Sequence, residues 1–240
     1  MNLAIITGGS KGLGKALVRI YCQNNFNVIN ISRSNSCLEH VNLLGNINMD
    51  LSKIKNFDNL SKNILKLIDN KLFKEIILIN NAGTLGTITT NEEDIPQNID
   101  YTVKLNLTAP LIITSIVTKL FKNSKISVYN ISSGAANKPY FGWSNYSATK
   151  SGLSLATKTI ALEQENNSTF EIFNIIPGVI DTKMQKQIRD TNKEKFKQVE
   201  RFINMKEEGL LLNPLDVALK IYNIKTMNYK SGHTINLKYI

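Results

Sequence analysis

The sequence predicts a single α/β domain in which a parallel sheet of about seven strands is covered by helices on both faces. Short apolar runs alternate with helical stretches along the 240 residues, and these runs lack the in–out alternation of a half-exposed strand. A glycine-rich segment directly follows the first apolar run and opens the first helical stretch. No internal repeat or low-complexity linker divides the sequence. We therefore predict one doubly wound domain over residues 1–240 with right-handed crossovers.

The predicted elements follow in order from the N-terminus. Seven apolar runs are interpreted as strands: residues 3–7, 26–31, 46–49, 75–79, 125–131, 170–176 and 233–237. Five stretches with apolar side chains at helical spacing are interpreted as helices: residues 12–24, 56–69, 99–122, 144–164 and 214–224. We expect the third helix to bend near Pro110. The charged segment 181–213 interrupts the alternation and is expected to form a helical flap over the ligand crevice.

Composition and charge limit the class of protein. Hydrophobic residues make up 42% and charged residues 20%, as in a globular protein, and no run approaches the ~20 apolar residues of a membrane span. The N-terminus lacks the basic start and cleavage site of a signal peptide, so we expect a cytoplasmic protein. The net charge of +10 is spread along the chain without a nucleic-acid-binding motif. We attribute it to attraction of a polyphosphate cofactor rather than to a nucleic acid or membrane partner.

The cysteines and histidines predict no metal site. Cys22 and Cys37 fit neither a disulfide framework nor a CxxC ligand pair and are interpreted as buried or partly buried free thiols. His40 and His233 lie far apart without ligand-like neighbours.

Residues 7–14 read Thr-Gly-Gly-Ser-Lys-Gly-Leu-Gly and lie between the first strand and the first helix. Glycines allow a tight turn and close approach of the backbone to a pyrophosphate, and the N-terminus of the helix favours negative charge. A purely structural turn is the alternative. The predicted cofactor contacts here are Gly8, Ser10, Lys11, Gly12, Leu13 and Gly14.

The TGxxxGxG spacing resembles that of the short-chain dehydrogenases/reductases, which have a Rossmann-type fold. Further motifs of that family follow in matching order across almost the whole chain. They are Asn80-Asn81-Ala82-Gly83, Asn106, Ser133 with Tyr146-x-x-x-Lys150, and Pro177-Gly178. The resemblance implies that Asn81, Ala82, Gly83, Asp50 and Leu51 lie on the adenosine side of the cofactor. It also implies that Pro177, Gly178, Val179 and Thr182 hold the nicotinamide carboxamide.

The end of the second strand indicates which dinucleotide binds. An NAD-selecting fold of this kind usually carries an acid there, whereas this chain reads Ser32-Arg33-Ser34. The Arg33 guanidinium can grip a 2′-phosphate, with help from both serine hydroxyls and Lys11. We therefore predict NADPH, the alternative being that Arg33 is a solvated loop cation. Asp50 either contacts the adenine, as the resemblance implies, or caps the next helix.

Tyr146 and Lys150 lie four residues apart and so share one face of a helix. A phenol has a pKa near ~10, and a neighbouring ammonium is expected to lower it so that Tyr146 can donate a proton to a carbonyl oxygen. Lys150 is also expected to hold the ribose hydroxyls of the cofactor. Ser133 stands at the family's spacing for the serine that bonds the substrate oxygen, with Ser132 as the competing candidate. By resemblance Asn106 bends its helix through a bound water and links Lys150 to solvent; a satisfied core asparagine is the alternative.

Three aromatic residues, Tyr140, Phe141 and Trp143, lie between Ser133 and Tyr146. They could form an apolar wall for a flat or aromatic ketone, with ordinary loop packing as the alternative. The flap should add pocket-facing residues: Met184, Ile188, Phe202 and Met205. We predict Tyr140, Trp143, Met184 and Ser133 as substrate contacts.

Segments 132–136, 139–143 and 200–209 resemble the bacterial benzil reductases of the sepiapterin-reductase-like branch. This resemblance implies NADPH-dependent reduction of a ketone or one carbonyl of a vicinal diketone, with Tyr146 as proton donor. The alternatives are another enzyme of the same family, namely a 3-oxoacyl carrier-protein reductase, a sugar-alcohol dehydrogenase or a pterin reductase anchored by Asp181, and a non-catalytic dinucleotide sensor. Relatives commonly pair through the helices over 99–122 and 144–164, so a homodimer or tetramer is expected.

Overall fold

The sheet contains seven strands, all parallel to their neighbours, in the computed structural model, which describes residues 1–35 and 39–240. The strands are β1 (Asn2–Thr7), β2 (Asn27–Ser32), β3 (Leu43–Asn48), β4 (Glu75–Asn80), β5 (Lys125–Ile131), β6 (Phe170–Ile176) and β7 (Thr234–Asn236). Their order is β3-β2-β1-β4-β5-β6-β7. The strand order therefore reverses between β1 and β4, which opens a crevice at the carboxyl ends of the strands. The predicted doubly wound sheet is confirmed. Cys37 lies outside the described residues.

Helices cover both faces of this sheet. In the described part of the chain they are α1 (Gly12–Gln23), α2 (Leu60–Ile68), α3 (Pro96–Val103), α4 (Ala109–Leu120), α5 (Ser144–Glu163), α6 (Lys183–Arg189), α7 (Val199–Glu207) and α8 (Pro214–Asn223). On one face α1 and α8 bury Leu17 and Val217 against the strands. On the other face α2 and α4 bury Ile64 and Ile113. The core is thus split into two apolar layers by the sheet.

Strand β3 begins at Leu43, three residues before the predicted start. Gly45 interrupts the apolar pattern there, and the register between β2 and β3 shifts between Val28 and Ile29. A Cβ at Gly45 would lie 2.7 Å from Leu67 Cδ2. The glycine therefore allows the chain after β3 to return closely over the strand, a requirement that a periodicity search cannot detect.

The predicted helix over 99–122 starts earlier, at Pro96, and its irregular turn lies before Pro110. Residues Lys104–Thr108 form a π-helical turn between α3 and α4. Pro110 lacks the N–H that would bond one turn back, so a widened turn before it leaves fewer carbonyls without a partner. The irregularity of this helix is therefore a π turn centred on Asn106, and the expected bend near Pro110 stays a prediction.

The expectation that no run approaches a membrane span was wrong by length and composition. The helical stretch Pro96–Leu120 is long and apolar enough to cross a bilayer, and 33% of its 18-residue apolar window is buried within the structure. A core helix of a globular protein passes the same test. Here α4 places Ile113 and Val117 against the sheet.

A row of buried asparagines crosses the centre of the sheet. Asn80, Asn130 and Asn174 are paired in register on β4, β5 and β6, and each is at most 2% exposed. Asn80 Nδ2 donates to Asn130 Oδ1 at 2.8 Å. The other two side-chain amides donate to hydroxyls on α5, at Thr157 (2.9 Å) and Ser154 (3.0 Å). These bonds fix α5, which carries Tyr146 and Lys150, over the sheet.

Candidate active site

The glycine loop is tied to the end of β4. Asn81 Nδ2 donates to the carbonyl of Thr7 at 2.9 Å, and the backbone amides of Asn81 and Ala82 both donate to Thr7 Oγ1 at 2.9 Å. Gly8 has φ +72°, a conformation that favours glycine. A Cβ at Gly14 would overlap the carbonyl oxygen of Gly8. The loop therefore folds tightly onto the N-terminus of α1. The amides of Gly8 and Gly9 already donate to the Ile31 carbonyl and to Asn30 Oδ1, both at 2.8 Å, whereas the N-terminus of α1 has no side-chain cap.

A cleft of about 280 Å³ lies along the carboxyl ends of β1 to β4. Eleven of the predicted contact residues line it: Gly8, Ser10, Lys11, Ser32, Arg33, Ser34, Asp50, Leu51, Ala82, Gly83 and Met184. Residues absent from the prediction also line it: Ile31, Met49, Thr84, Leu85, Tyr101, Leu105, Lys183 and Gln187. Ile31 and Met49 end predicted strands and were detectable from that position. Tyr101, Lys183 and Gln187 reach the cleft from helices, and no motif marks them.

The other predicted cofactor and catalytic residues of this part of the site do not line the cleft. They are Gly12, Leu13, Gly14, Asn81, Asn106, Tyr146, Lys150, Pro177, Gly178, Val179 and Thr182. Gly12 nevertheless meets the segment after β6, because a Cβ there would lie 3.4 Å from Thr182 Cγ2. Thr182 Oγ1 accepts from the amide of Gln185 at 3.4 Å and caps α6. The first and last of the predicted cofactor motifs are thus brought together.

Arg33 is exposed at the β2 end of the cleft, and its guanidinium donates to the hydroxyl of Tyr101 at 3.4 Å. Asp50, at the end of β3, accepts from the amide and hydroxyl of Ser52 at 3.0 and 2.8 Å. Partial burial raises the pKa of Asp50, but the Ser52 bonds and the positive charges of Arg33 and Lys53 outweigh it and hold that pKa below its usual value. Asp50 therefore lines the cleft, as the adenine contact requires, and caps a turn at Ser52 rather than the N-terminus of α2, whose N-cap residue is Asn59.

The side chains of Tyr146, Ser133 and Lys150 converge beside the cleft. Tyr146 is 6% exposed, and a hydrogen bond joins its hydroxyl to Ser133. Lys150 Nζ lies 5.8 Å from the centre of the Tyr146 ring and donates to the carbonyl of Ile131 at 2.8 Å. The competing Ser132 hydroxyl is buried and has no hydrogen-bond partner among the described residues. This geometry favours Ser133 as the serine of the site.

The expected lowering of the Tyr146 pKa was wrong. Burial raises the pKa of Tyr146 above its ordinary value of 10.0, and the bond from Ser133 only partly offsets this. Burial also lowers the pKa of Lys150 from 10.5 to about 8. The low-polarity surroundings disfavour both charged forms, and at this distance the ammonium does not overcome that cost. Tyr146 is therefore held protonated at neutral pH, as a proton donor requires.

Asn106 lies fully buried in the π turn. Its amide donates to the carbonyl of Thr84 at 2.8 Å and to Thr149 Oγ1 at 3.2 Å, and its oxygen accepts from the amide of Thr84 at 2.9 Å. A Cβ at Gly83 would lie 3.2 Å from Asn106 Oδ1 and 3.7 Å from Lys150 Nζ. Asn106 is thus a satisfied core residue that also joins the wall of the cleft to α5.

The aromatic residues before Tyr146 pack against the flap. Trp143 is 5% exposed and stacks on Phe196, with ring centres 4.7 Å apart and an interplanar angle of 14°. It also meets Tyr140 at 4.9 Å and Tyr146 edge-on at 5.5 Å. Trp143 therefore belongs to an apolar core between α5 and the flap, which supports the packing interpretation more than an open substrate wall. Tyr140 and Met184 are partly buried at its margin.

Comparison with known proteins identifies the family. A family model described as short chain dehydrogenase matches residues 2–193. The chain therefore belongs to the short-chain dehydrogenase family, a class of oxidoreductases that use a nicotinamide dinucleotide.

Individual relatives indicate which members of this family the chain resembles. The benzil reductase ((S)-benzoin forming) of Bacillus cereus is 37% identical over 254 residues, with 99% of both chains covered. The benzil reductase ((S)-benzoin forming) of Bacillus subtilis (strain 168) is 34% identical, again with 99% of both chains covered. Among solved structures, the KRED1-Pglu enzyme has a TM-score of 0.84 at 22% identity, covering 98% of this chain and 100% of that one; this likeness shows the fold. The resemblance to the benzil reductases is confirmed.

Proposed function

We propose that the protein is an NADPH-dependent carbonyl reductase that converts a ketone or a benzil-like vicinal diketone to a hydroxy ketone. The observation that carries this proposal is the buried, protonated Tyr146 bonded to Ser133, with Lys150 behind Gly83 in the wall of a cleft that also presents the Arg33 cation. The names of the two Bacillus relatives, which cover nearly the whole chain, support the substrate class.

The residues of the cleft fit a dinucleotide. The end of the glycine loop and the uncapped first turn of α1, residues 10–14, can present backbone amides to an anion, and Lys11 and Arg33 add positive charge at the ends of β1 and β2. Asp50 and Leu51 suit the adenosine side, and segment 177–182 suits the carboxamide side. When bound, the nicotinamide supplies a hydride.

The protein's own part in the reaction is a proton and a polar pocket for the substrate oxygen. Tyr146 donates its hydroxyl proton to the carbonyl oxygen as negative charge develops there, and the Ser133 hydroxyl donates a hydrogen bond to the same oxygen. The neighbouring Lys150 ammonium stabilises the phenolate that remains. Because its pKa is about 8, much of it is charged at neutral pH.

Two observations bear on the alternatives. Asp181, the acid considered as a pterin anchor, is paired with Lys206 at 2.6 Å and so is already neutralised. Tyr146, Lys150, Ser133 and Asn106 are all present and close together, which favours catalysis over sensing alone.

A substrate panel tests the proposal. We expect the purified protein to reduce benzil and 1-phenyl-1,2-propanedione with NADPH at least tenfold more efficiently than sepiapterin or a 3-oxoacyl thioester. Preference for either of the last two would replace the assignment with that alternative. Absence of turnover on the whole panel, together with tight dinucleotide binding, would favour a sensor.

The choice of cofactor is tested through Arg33. Arg33→Ala should raise KM for NADPH about tenfold or more and leave KM for NADH within twofold, because only NADPH carries the 2′-phosphate. Arg19→Ala, which removes an exposed arginine of α1, is the matched control and should change neither value. Equal use of NADH and NADPH by the unmodified protein would contradict the role of Arg33.

A further inference from the structure

Three consecutive residues before Tyr146 contact three consecutive residues of the flap. The Trp143 ring stacks on Phe196, and Lys197 Nζ lies 4.3 Å from the centre of the Phe141 ring. Between them, Gly142 has φ +80°, and a Cβ there would overlap the carbonyl oxygen of Lys195. We call residues 141–143 and 195–197 the latch.

The latch leads directly to the proposed proton donor. Trp143 immediately precedes α5, and its ring contacts the Tyr146 ring edge-on at 5.5 Å. The carbonyl of Trp143 accepts from the amide of Ser147, which begins the helical bonding of α5 around Tyr146. Any displacement of Trp143 therefore changes both the packing of the Tyr146 ring and the start of its helix.

The other side of the latch is fixed to the body of the protein. The amide of Thr89 donates to the carbonyl of Gly142 at 3.1 Å. Asp94 accepts from Asn145 Nδ2 at 2.6 Å and so holds the first turn of α5. Residues 141–145 are thus secured by the segment after β4, whereas residues 195–197 link the short helices α6 and α7. The flap is therefore the side of this contact that lies outside the sheet, between α6 and α7.

We propose that the flap positions Tyr146 through the latch, with Phe196 and Trp143 as positioning residues, rather than only covering the substrate. This inference rests on the proposed function, in which Tyr146 donates the proton. If it holds, loosening the latch lowers kcat. A flap that is merely a cover affects KM for the carbonyl substrate instead.

The sequence contains one tryptophan, so intrinsic tryptophan emission reports on Trp143 alone. The test compares Phe196→Leu, which removes the stacked ring, with Phe121→Leu, which removes a buried ring from a different apolar cluster that does not include the latch. Both variants lose packing, but only the first touches the latch. Turnover is measured with benzil and NADPH, and acrylamide quenching is measured without either.

We expect Phe196→Leu to lower kcat at least tenfold with KM for NADPH unchanged, and to raise the quenching constant at least twofold. The alkaline limb of its kcat–pH profile should move to lower pH, because water admitted to Tyr146 reduces the cost of the phenolate. Phe121→Leu should leave all three measurements within twofold of the unmodified protein. Should Phe196→Leu not fold, Phe141→Leu at a half-buried latch position is expected to lower kcat about threefold.

Two results would overturn the inference. One is an unchanged kcat with a raised KM for benzil in the latch variants, which would make the flap a cover only. The other is a lower kcat with unaltered quenching and pH profile, which would place the effect outside the latch. An unmodified protein that turns over no carbonyl counts against the proposed function, whereas the quenching comparison can still be made.

Discussion

Tyr146 is the residue on which the proposed chemistry depends. Tyr146→Phe removes the donated proton but keeps the ring, so we expect kcat to fall by about 100-fold or more with NADPH affinity within twofold. The matched control is Tyr129→Phe. Tyr129 is also buried, and its hydroxyl has no hydrogen-bond partner among the described residues, so its loss should be neutral or slightly stabilising. Steady-state kinetics and dinucleotide titration separate the two effects, and a variant that keeps full turnover would show that another group donates the proton.

The buried Lys150 makes the protein more stable as the pH rises, whereas a cation paired with an acid makes a protein less stable as the pH rises. Its pKa is about 8 in the folded protein against 10.5 ordinarily, so between these values the unfolded chain holds more protons and stability rises with pH. Below pH ~8 the fold bears the full cost of burying the ammonium. Relative to Lys150→Met, the unmodified protein should therefore gain roughly 2–3 kcal/mol between pH 7 and pH 10.

Urea unfolding of both proteins without dinucleotide measures this difference, in which the titrations of other groups cancel. Parallel stability curves for the two proteins across this range would show that the Lys150 amine is solvated rather than buried.

At the scale of the elements, the tight loop before α1 depends on Gly14. Alanine usually stabilises a helix over glycine by up to ~1 kcal/mol, but here its Cβ would overlap the Gly8 carbonyl oxygen and lie 2.6 Å from Asn81 Nδ2. We expect Gly14→Ala to lower the free energy of unfolding by about 2 kcal/mol and to weaken dinucleotide binding. Gly134→Ala is the control, since a Cβ there meets no atom within 4 Å. Equal stability of the two variants would contradict the close approach.

Elements with a strong period or a fixed motif spacing could be predicted from the sequence. All seven strands were found from their apolar runs. The juxtaposition of Ser133 with Tyr146 was predicted by the family resemblance, because the spacing of the two residues matches the motif of that family. Pro110 indicated an irregularity in this helix, but the position of the π turn at Asn106 could not be located from propensity, since the bonds that hold Asn106 there reach Thr84 and Thr149, which are distant in sequence. The raised pKa of Tyr146 was missed for a similar reason, as burial depends on the flap packing over it.

For the whole molecule, the exposed face of α5 predicts assembly. Leu155 and Leu162 are 67% and 66% exposed and lie seven residues apart, on one side of the helix. Exposed apolar side chains at this spacing favour an interface, and we expect a homodimer or tetramer. The double substitution Leu155→Glu/Leu162→Glu should shift the protein toward monomer in light scattering after size exclusion. Leu72→Glu, at a position 85% exposed elsewhere, should not, and a monomeric unmodified protein would refute the expectation.

The asparagine row across β4, β5 and β6 has a consequence for how the chain reaches this arrangement. A strand displaced by one residue would turn an amide to the opposite face, away from its neighbour and from the hydroxyls of α5. Each displaced side-chain amide would then be buried in an apolar layer without a hydrogen-bond partner, at a cost of about 1–3 kcal/mol. Collapsed states with slipped strands are thereby penalised several times over. The asparagine row thus selects one register for three apolar strands whose hydrophobic side chains alone would permit several.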